Sequence, residues 1–149
     1  MATDYYKMVQ YTLLSEGEKD TLARICRKLE AISKETRRTG LLLLAVEDAI
    51  EGIAAEFGGK NGKYARKLLM LVAHGYEQEI IRGIADNYIA SSCQNEFEVL
   101  CFTLIKTGAC AIQDGTHPAI LAERFVSYIG FDGEEDFRQR TGFVEEYYF

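Results

Sequence analysis

The residues with the most chemical promise do not assemble into a catalytic pattern. Gly58-Gly59-Lys60-Asn61-Gly62-Lys63-Tyr64 invites comparison with a phosphate-binding loop, in which glycine amides cradle phosphates and a lysine reaches them. That pattern, GxxxxGK followed by Ser or Thr, needs glycine at 57 and a hydroxyl-bearing Ser or Thr at 64. Phe57 and Tyr64 stand there, and a helical rather than a strand pattern precedes the segment. It reads as a solvated interhelical loop with a basic patch at Lys60, Lys63, Arg66 and Lys67, which an anionic surface would suit. His74 and His117 flank glycine turns, and neither belongs to a Ser/His/Asp or Cys/His signature. Glu47 and Glu51 lie one turn apart on one helix face, whereas a catalytic carboxylate pair must oppose each other around a substrate. Cys26, Cys93, Cys101 and Cys110 form no CxxC pair and have no histidine at ligand spacing. They read as buried thiols of helices. The residues therefore point away from an enzyme, a metal centre or a cofactor site.

The elements that must position these residues are helical nearly everywhere. Ser15-Glu16-Gly17-Glu18 has the form of a capping box. Behind it Leu22, Ile25, Cys26, Leu29 and Ile32 recur at intervals of three and four, the spacing of one helix face. Gly40 interrupts this pattern, and Leu43, Val46, Ile50, Ile53 and Phe57 resume it. Tyr64, Leu68, Leu71 and Val72 make the next face, and Gly75 ends that helix. Further helices are expected over 77–90 and 96–113, the second broken by Gly115. Thr116 is the expected N-cap of a helix carrying Pro118 in its first turn and running to Ile129. No segment alternates as a strand does. The fold class is all-α, a compact bundle of about six to seven helices.

Two of these units resemble each other at an offset of 40. Gly75, Ile80, Ile81, Tyr88 and Ile89 match Gly115, Ile120, Leu121, Tyr128 and Ile129. Each unit is a helix, a glycine stop and a helix with a paired aliphatic face, so two stacked helical hairpins are expected. Residues 1–130 read as the helical domain. Residues 131–149 read as an acidic, aromatic tail, holding 6 of the 17 aromatics and 6 acids. It begins a turn or helix near Asp132 and docks in a groove of its own domain or of a neighbour.

The net charge of −6 disfavours a dedicated nucleic-acid binder. The excess sits in one part of the chain: residues 1–89 carry 13 basic and 13 acidic groups, residues 90–149 carry 4 and 10. The N-terminus has no apolar signal region, and the longest apolar run, Leu41–Val46, is far below the ~20 residues of a membrane span. A reduced, cytoplasmic, soluble protein is expected.

Three stretches carry a resemblance to a known family. Residues 64–84, YARKLLMLVAHGYEQEIIRGI, are similar without gaps to FLRKGLxLVVDGxDPExVRxIL of the flagellar stator family of MotA, within the MotA/TolQ/ExbB group. Residues 111–129, AIQDGTHPAILAERFVSYI, resemble that family's AIQxGxNPRxLEExLxSYL. Arg37, Gly40, Leu41, Glu47 and Glu51 resemble RxxGLLxLExxIE, with two more residues between Gly40 and Glu47. The family's membrane helices have no counterpart, and residues 90–95 stand in the place of a membrane hairpin. The resemblance implies the cytoplasmic part of a stator without its ion-conducting half. It also implies charge contacts with a motor component such as the rotor protein FliG, with Arg37 and Glu47 as the carried-over pair.

Independently of the resemblance, Arg27, Lys34 and Arg38 lie at intervals of 7 and 4 on one helix face, a charged stripe that steers partners more than it adds affinity. The expected function is a non-catalytic protein-interaction module whose partner is a rotor or stator component, or a second copy of itself. Its contacts would be Lys34, Arg37, Arg38, Glu47 and Glu51, then Lys63, Arg66 and Lys67. One rival is a regulatory domain with a small-ligand cleft between the stacked hairpins, tyrosines and the basic segment at its rim. Another is a structural homo-oligomer held by the aromatic ends.

Overall fold

The computed structural model describes residues 9–41, Leu44 and residues 48–145. Seven α-helices and no strand are found among them: α1 (Glu16–Thr39), α2 (Ala49–Phe57), α3 (Gly59–Ala73), α4 (Gln78–Ser92), α5 (Glu96–Asp114), α6 (Pro118–Ile129) and α7 (Glu134–Thr141). Short 3-10 turns at Tyr11–Leu13 and Phe131–Gly133 complete the fold. No helix among the described residues is long and apolar enough to cross a membrane.

The capping box starts α1 as its sequence dictates. The Ser15 hydroxyl accepts from the Glu18 amide at 3.1 Å, and the Glu18 carboxylate accepts from the Ser15 amide at 3.0 Å. The apolar stripe of Leu22, Ile25, Cys26 and Leu29 then faces α5 and is completely buried. α5 is the hub. Leu100 to Ile105 and Gly108 to Ile112 are all buried, as befits a helix enclosed on every side. It packs on α1, α3, α4 and α6.

The two hairpins repeat in detail. Tyr76 donates its amide to the Leu71 carbonyl at 3.2 Å, and Gly75 to Val72 at 3.0 Å. Forty residues later Thr116 donates to Ala111 at 3.0 Å and Gly115 to Ile112 at 3.3 Å. Both turns are the same Schellman stop, with glycine at φ 80° and 72°. The helices that follow start at Gln78 and Pro118, in equivalent register. Ile81 and Leu121 are fully buried. Their neighbours Ile80 and Ile120 are not: each is about half exposed, which corrects the paired aliphatic face expected from the sequence. Successive helical residues point about 100° apart, so one of each pair turns outward.

Three local expectations also change. Residues 58–62 are not a loop: α2 ends at Phe57, Gly58 alone caps both helices, and α3 begins at Gly59. Gly62 lies so close to α2 that a β-carbon there would meet the Ala54 carbonyl oxygen. α1 ends before Gly40, and Asp48 takes a left-handed φ of 69° ahead of α2; Leu43, Val46 and Glu47 lie outside the described residues. The cap of α6 is His117 rather than Thr116, its Nδ1 accepting from the Ala119 amide at 3.1 Å. The Thr116 amide is already used in the Schellman turn.

The C-terminal segment packs back on the helical body. Phe137 is completely buried, edge-on to Tyr11 and to Phe143 at centroid distances of 6.0 and 6.1 Å. Arg140 braces it with Asp136 at 2.7 Å, Asp20 at 2.6 Å and Glu16 at 2.7 Å. The Tyr11 hydroxyl also donates to Asp136, at 2.7 Å. Arg140 first and Tyr11 second hold the Asp136 carboxyl below the usual carboxylate range. A depressed folded-state pKa contributes stability above the unfolded value near ~3.9 and loses it as pH falls through the folded value. Asp136→Asn is therefore expected to lower the urea midpoint at pH 7, by a margin that shrinks towards pH ~3. Equal margins at both pH values would show that the carboxylate charge is not what holds this contact.

Candidate basic groove

The second half of α1 carries Lys34, Arg37 and Arg38, and all three line one groove of about 600 Å³. Its other wall is His117, Pro118 and Ala119 at the start of α6, with Gly142, Phe143 and Val144 after α7. Each cation is held differently. Lys34 pairs with Glu30, a mostly covered carboxylate that also lines the groove, at 3.0 Å, and Arg38 with Glu35 at 2.7 Å in an exposed pair, both within α1. An exposed pair of this second kind is worth roughly 0.2–1 kcal/mol, so an incoming carboxylate replaces it at small cost. Arg37 instead donates to the Gly115 carbonyl at 2.8 Å, which ties α1 to the turn between α5 and α6. Among the described residues its guanidinium makes no other hydrogen bond, which leaves N–H groups for a second acceptor. Farther back on α1, Arg27 donates to the Arg140 carbonyl at 3.1 Å, so the end of α7 covers this face.

The charged residues expected to act together are divided. Glu51, on α2, forms an ion pair with Arg66 of α3 at 2.5 Å. It lines a separate hollow with Leu44, Asp48 and His74. Glu47 lies outside the described residues. Lys63, Arg66 and Lys67 lie on α3 at a second cavity, between α3, α4 and α5.

No family model, curated protein or solved structure matches this chain. The site must therefore be read from its own chemistry. Among the described residues no group of three His, Cys, Asp or Glu side chains is placed to hold a metal ion. Burial pushes the thiols of Cys93 and Cys101 up to about 11 and about 12, and raises those of Cys26 and Cys110. Cys26, Cys101 and Cys110 are buried and Cys93, just beyond α4, is half-buried. At neutral pH all four are protonated and poor nucleophiles. Three cations face a wall whose apolar exposure comes mainly from Val144, 63% exposed, since Pro118 and Phe143 beside it are buried.

Of the α1 wall, Lys34 and Arg38 were legible from the charge spacing, and Arg37 from the family resemblance. Pro118, Phe143 and Val144 were not, because they come from two other parts of the chain. The only signal for Phe143 was the aromatic tail's need for a surface to cover.

Proposed function

We propose that this chain is a non-catalytic interaction module whose basic groove takes an acidic segment of a protein partner. The supporting observation is the convergence of Lys34, Arg37 and Arg38 on a groove whose opposite wall is partly apolar. Carboxylates of the partner meet the cations, and an aliphatic side chain covers Val144. Charge sets orientation and encounter rate there, while the apolar contact sets residence. The resemblance to the stator family supports reading that partner as a rotor or stator component met in the cytoplasm, in motility.

The reversal Arg37→Glu with Arg38→Glu tests this reading. Binding of an acidic, leucine-containing peptide, and of a purified rotor protein of the FliG type, is expected to weaken at least about tenfold. Folding stability is expected to fall by no more than about 1–2 kcal/mol, mainly from the lost Arg37 bond to Gly115. Unchanged binding in calorimetry would remove these residues from the contact. Peptide binding without rotor binding would leave the acidic-segment reading standing and end the motor assignment.

A further inference from the structure

The cavity between α3, α4 and α5 has a chemistry distinct from the groove. Its volume is about 430 Å³, within the range of small-molecule sites. Tyr64, Tyr88 and Phe102 supply its aromatic surface, and Lys60, Lys63 and Lys67 its charge.

The aromatic part is rigid. Tyr64 and Phe102 stack with ring centroids 3.9 Å apart and planes 10° from parallel. The Tyr64 hydroxyl donates to the Ala85 carbonyl at 3.0 Å, which pins α3 to α4. Burial pushes that phenol up, so it remains a donor. Tyr88 meets Tyr64 edge-on at 6.2 Å and is only partly buried. Its hydroxyl makes no hydrogen bond to a described residue, so ring face and polar tip are both available to a ligand. A surface held in place before binding loses little entropy on binding.

The charge is unbalanced. Lys60 is occupied by the Glu98 carboxylate at 2.9 Å and the Ser92 carbonyl at 2.8 Å. Arg66 is occupied by Glu51. Lys63 and Lys67, one helical turn apart, have no ion-pair or hydrogen-bond partner among the described residues. No acid occurs from residue 57 to residue 76, in a chain whose net charge is −6. Like charges at this spacing repel, and an anion seated between them relieves that repulsion. A flat apolar body is what Tyr88 accepts, above a floor formed by the buried Tyr64–Phe102 pair, since aromatic rings favour offset stacking and edge contacts.

We infer that this cavity binds a small planar anion: an aromatic ring of one or two cycles bearing a carboxylate or a phosphate. Lys63 and Lys67 take the charge and Tyr88 takes the ring. The inference does not depend on the proposed function, because the two sites share no residue.

Calorimetry on the full chain with AMP, 2-naphthoate, adenosine and inorganic phosphate tests it. AMP or 2-naphthoate, or both, is expected to bind with Kd well below about 1 mM. Which of them binds distinguishes a phosphate from a carboxylate headgroup. Adenosine lacks the charge and phosphate lacks the ring, and each is expected to bind at least about tenfold more weakly. Lys63→Glu with Lys67→Glu should weaken binding by about tenfold or more, whereas the Arg37/Arg38 reversal should leave it unchanged. If the glutamate pair fails to fold, Lys63→Gln with Lys67→Gln takes its place. NMR shift changes on the unaltered chain should then cluster on residues 63–67 and Tyr88. The inference is overturned by the absence of binding below about 1 mM, by phosphate or adenosine binding as tightly, by indifference to the lysine changes, or by shifts mapping elsewhere.

Discussion

Alanine in place of Phe137 is expected to cost about 3–5 kcal/mol, the largest loss available to a single side chain at this end of the molecule. The ring is fully buried and touches two others, Tyr11 ahead of α1 and Phe143 beyond α7. Phe143 in turn lies nearly parallel to Phe125 of α6 at 6.4 Å. α7 has only 8 residues, too short to stand as a helix in water. It is helical because Phe137 is anchored, with the Arg140 ion pairs as exposed and weaker support. A domain has about 5–15 kcal/mol in total, so the variant should melt roughly 6–20 °C below the parent. Calorimetric melting with urea titration measures this. A loss below about 1 kcal/mol would mean that the C-terminal helix is an appendage outside the cooperative core. The groove would respond too, since Phe143 and Val144 are placed by the same docking.

The helical content was legible because it is written in local periodicity and in stop signals. Ser15 with Glu18, Gly75 and Gly115 act as their spacing says. The helical repeat was legible for the same reason, five matches at one offset translating into equal turns and equal register. What was not legible depends on neighbours. Three glycines and three polar residues in 58–63 read as a loop by propensity, yet they form the first turn of α3. Close approach to α2 demands glycine at 62, and tertiary contact overrides a weak local preference. Thr116 has the better capping side chain, but its amide is drawn back to Ala111, which moves the cap to His117. Of the site, Lys34 and Arg38 were visible as spacing on one helix, and Arg37 through the family resemblance. The grouping of Glu51 with Arg66 rather than with Arg37 required the crossing of α2 over α3. The cavity beneath Lys63 and Lys67 was visible only as tyrosines near a basic run. That the Tyr64 ring stacks on Phe102, 38 positions along the chain, is a property of the packed hairpins.

Gly62→Ala carries the second large effect, and its contrast with two other glycines makes it diagnostic. A β-carbon at 62 would sit against the Ala54 carbonyl group, backbone that no rotamer change can move aside. Helices α2 and α3 would have to separate, and the loss should reach or exceed the usual 1–3 kcal/mol of an overpacked core, roughly. Gly108 is tight for a gentler reason: its β-carbon would meet the Leu29 side chain at 2.7 Å, and a side chain can turn. Gly83, on the exposed face of α4, meets nothing within 4 Å. Alanine there should stabilise the protein by about 0.5–1 kcal/mol through helix propensity alone. The expected order of urea midpoints is therefore Gly83→Ala above the parent, Gly108→Ala below it, and Gly62→Ala lowest. If Gly62→Ala matches the parent, α2 does not lie against α3 as described. The Glu51–Arg66 pair would then lose its basis, Arg66 would join Lys63 and Lys67 as a third unpaired cation, and the anion cavity would be more basic than drawn.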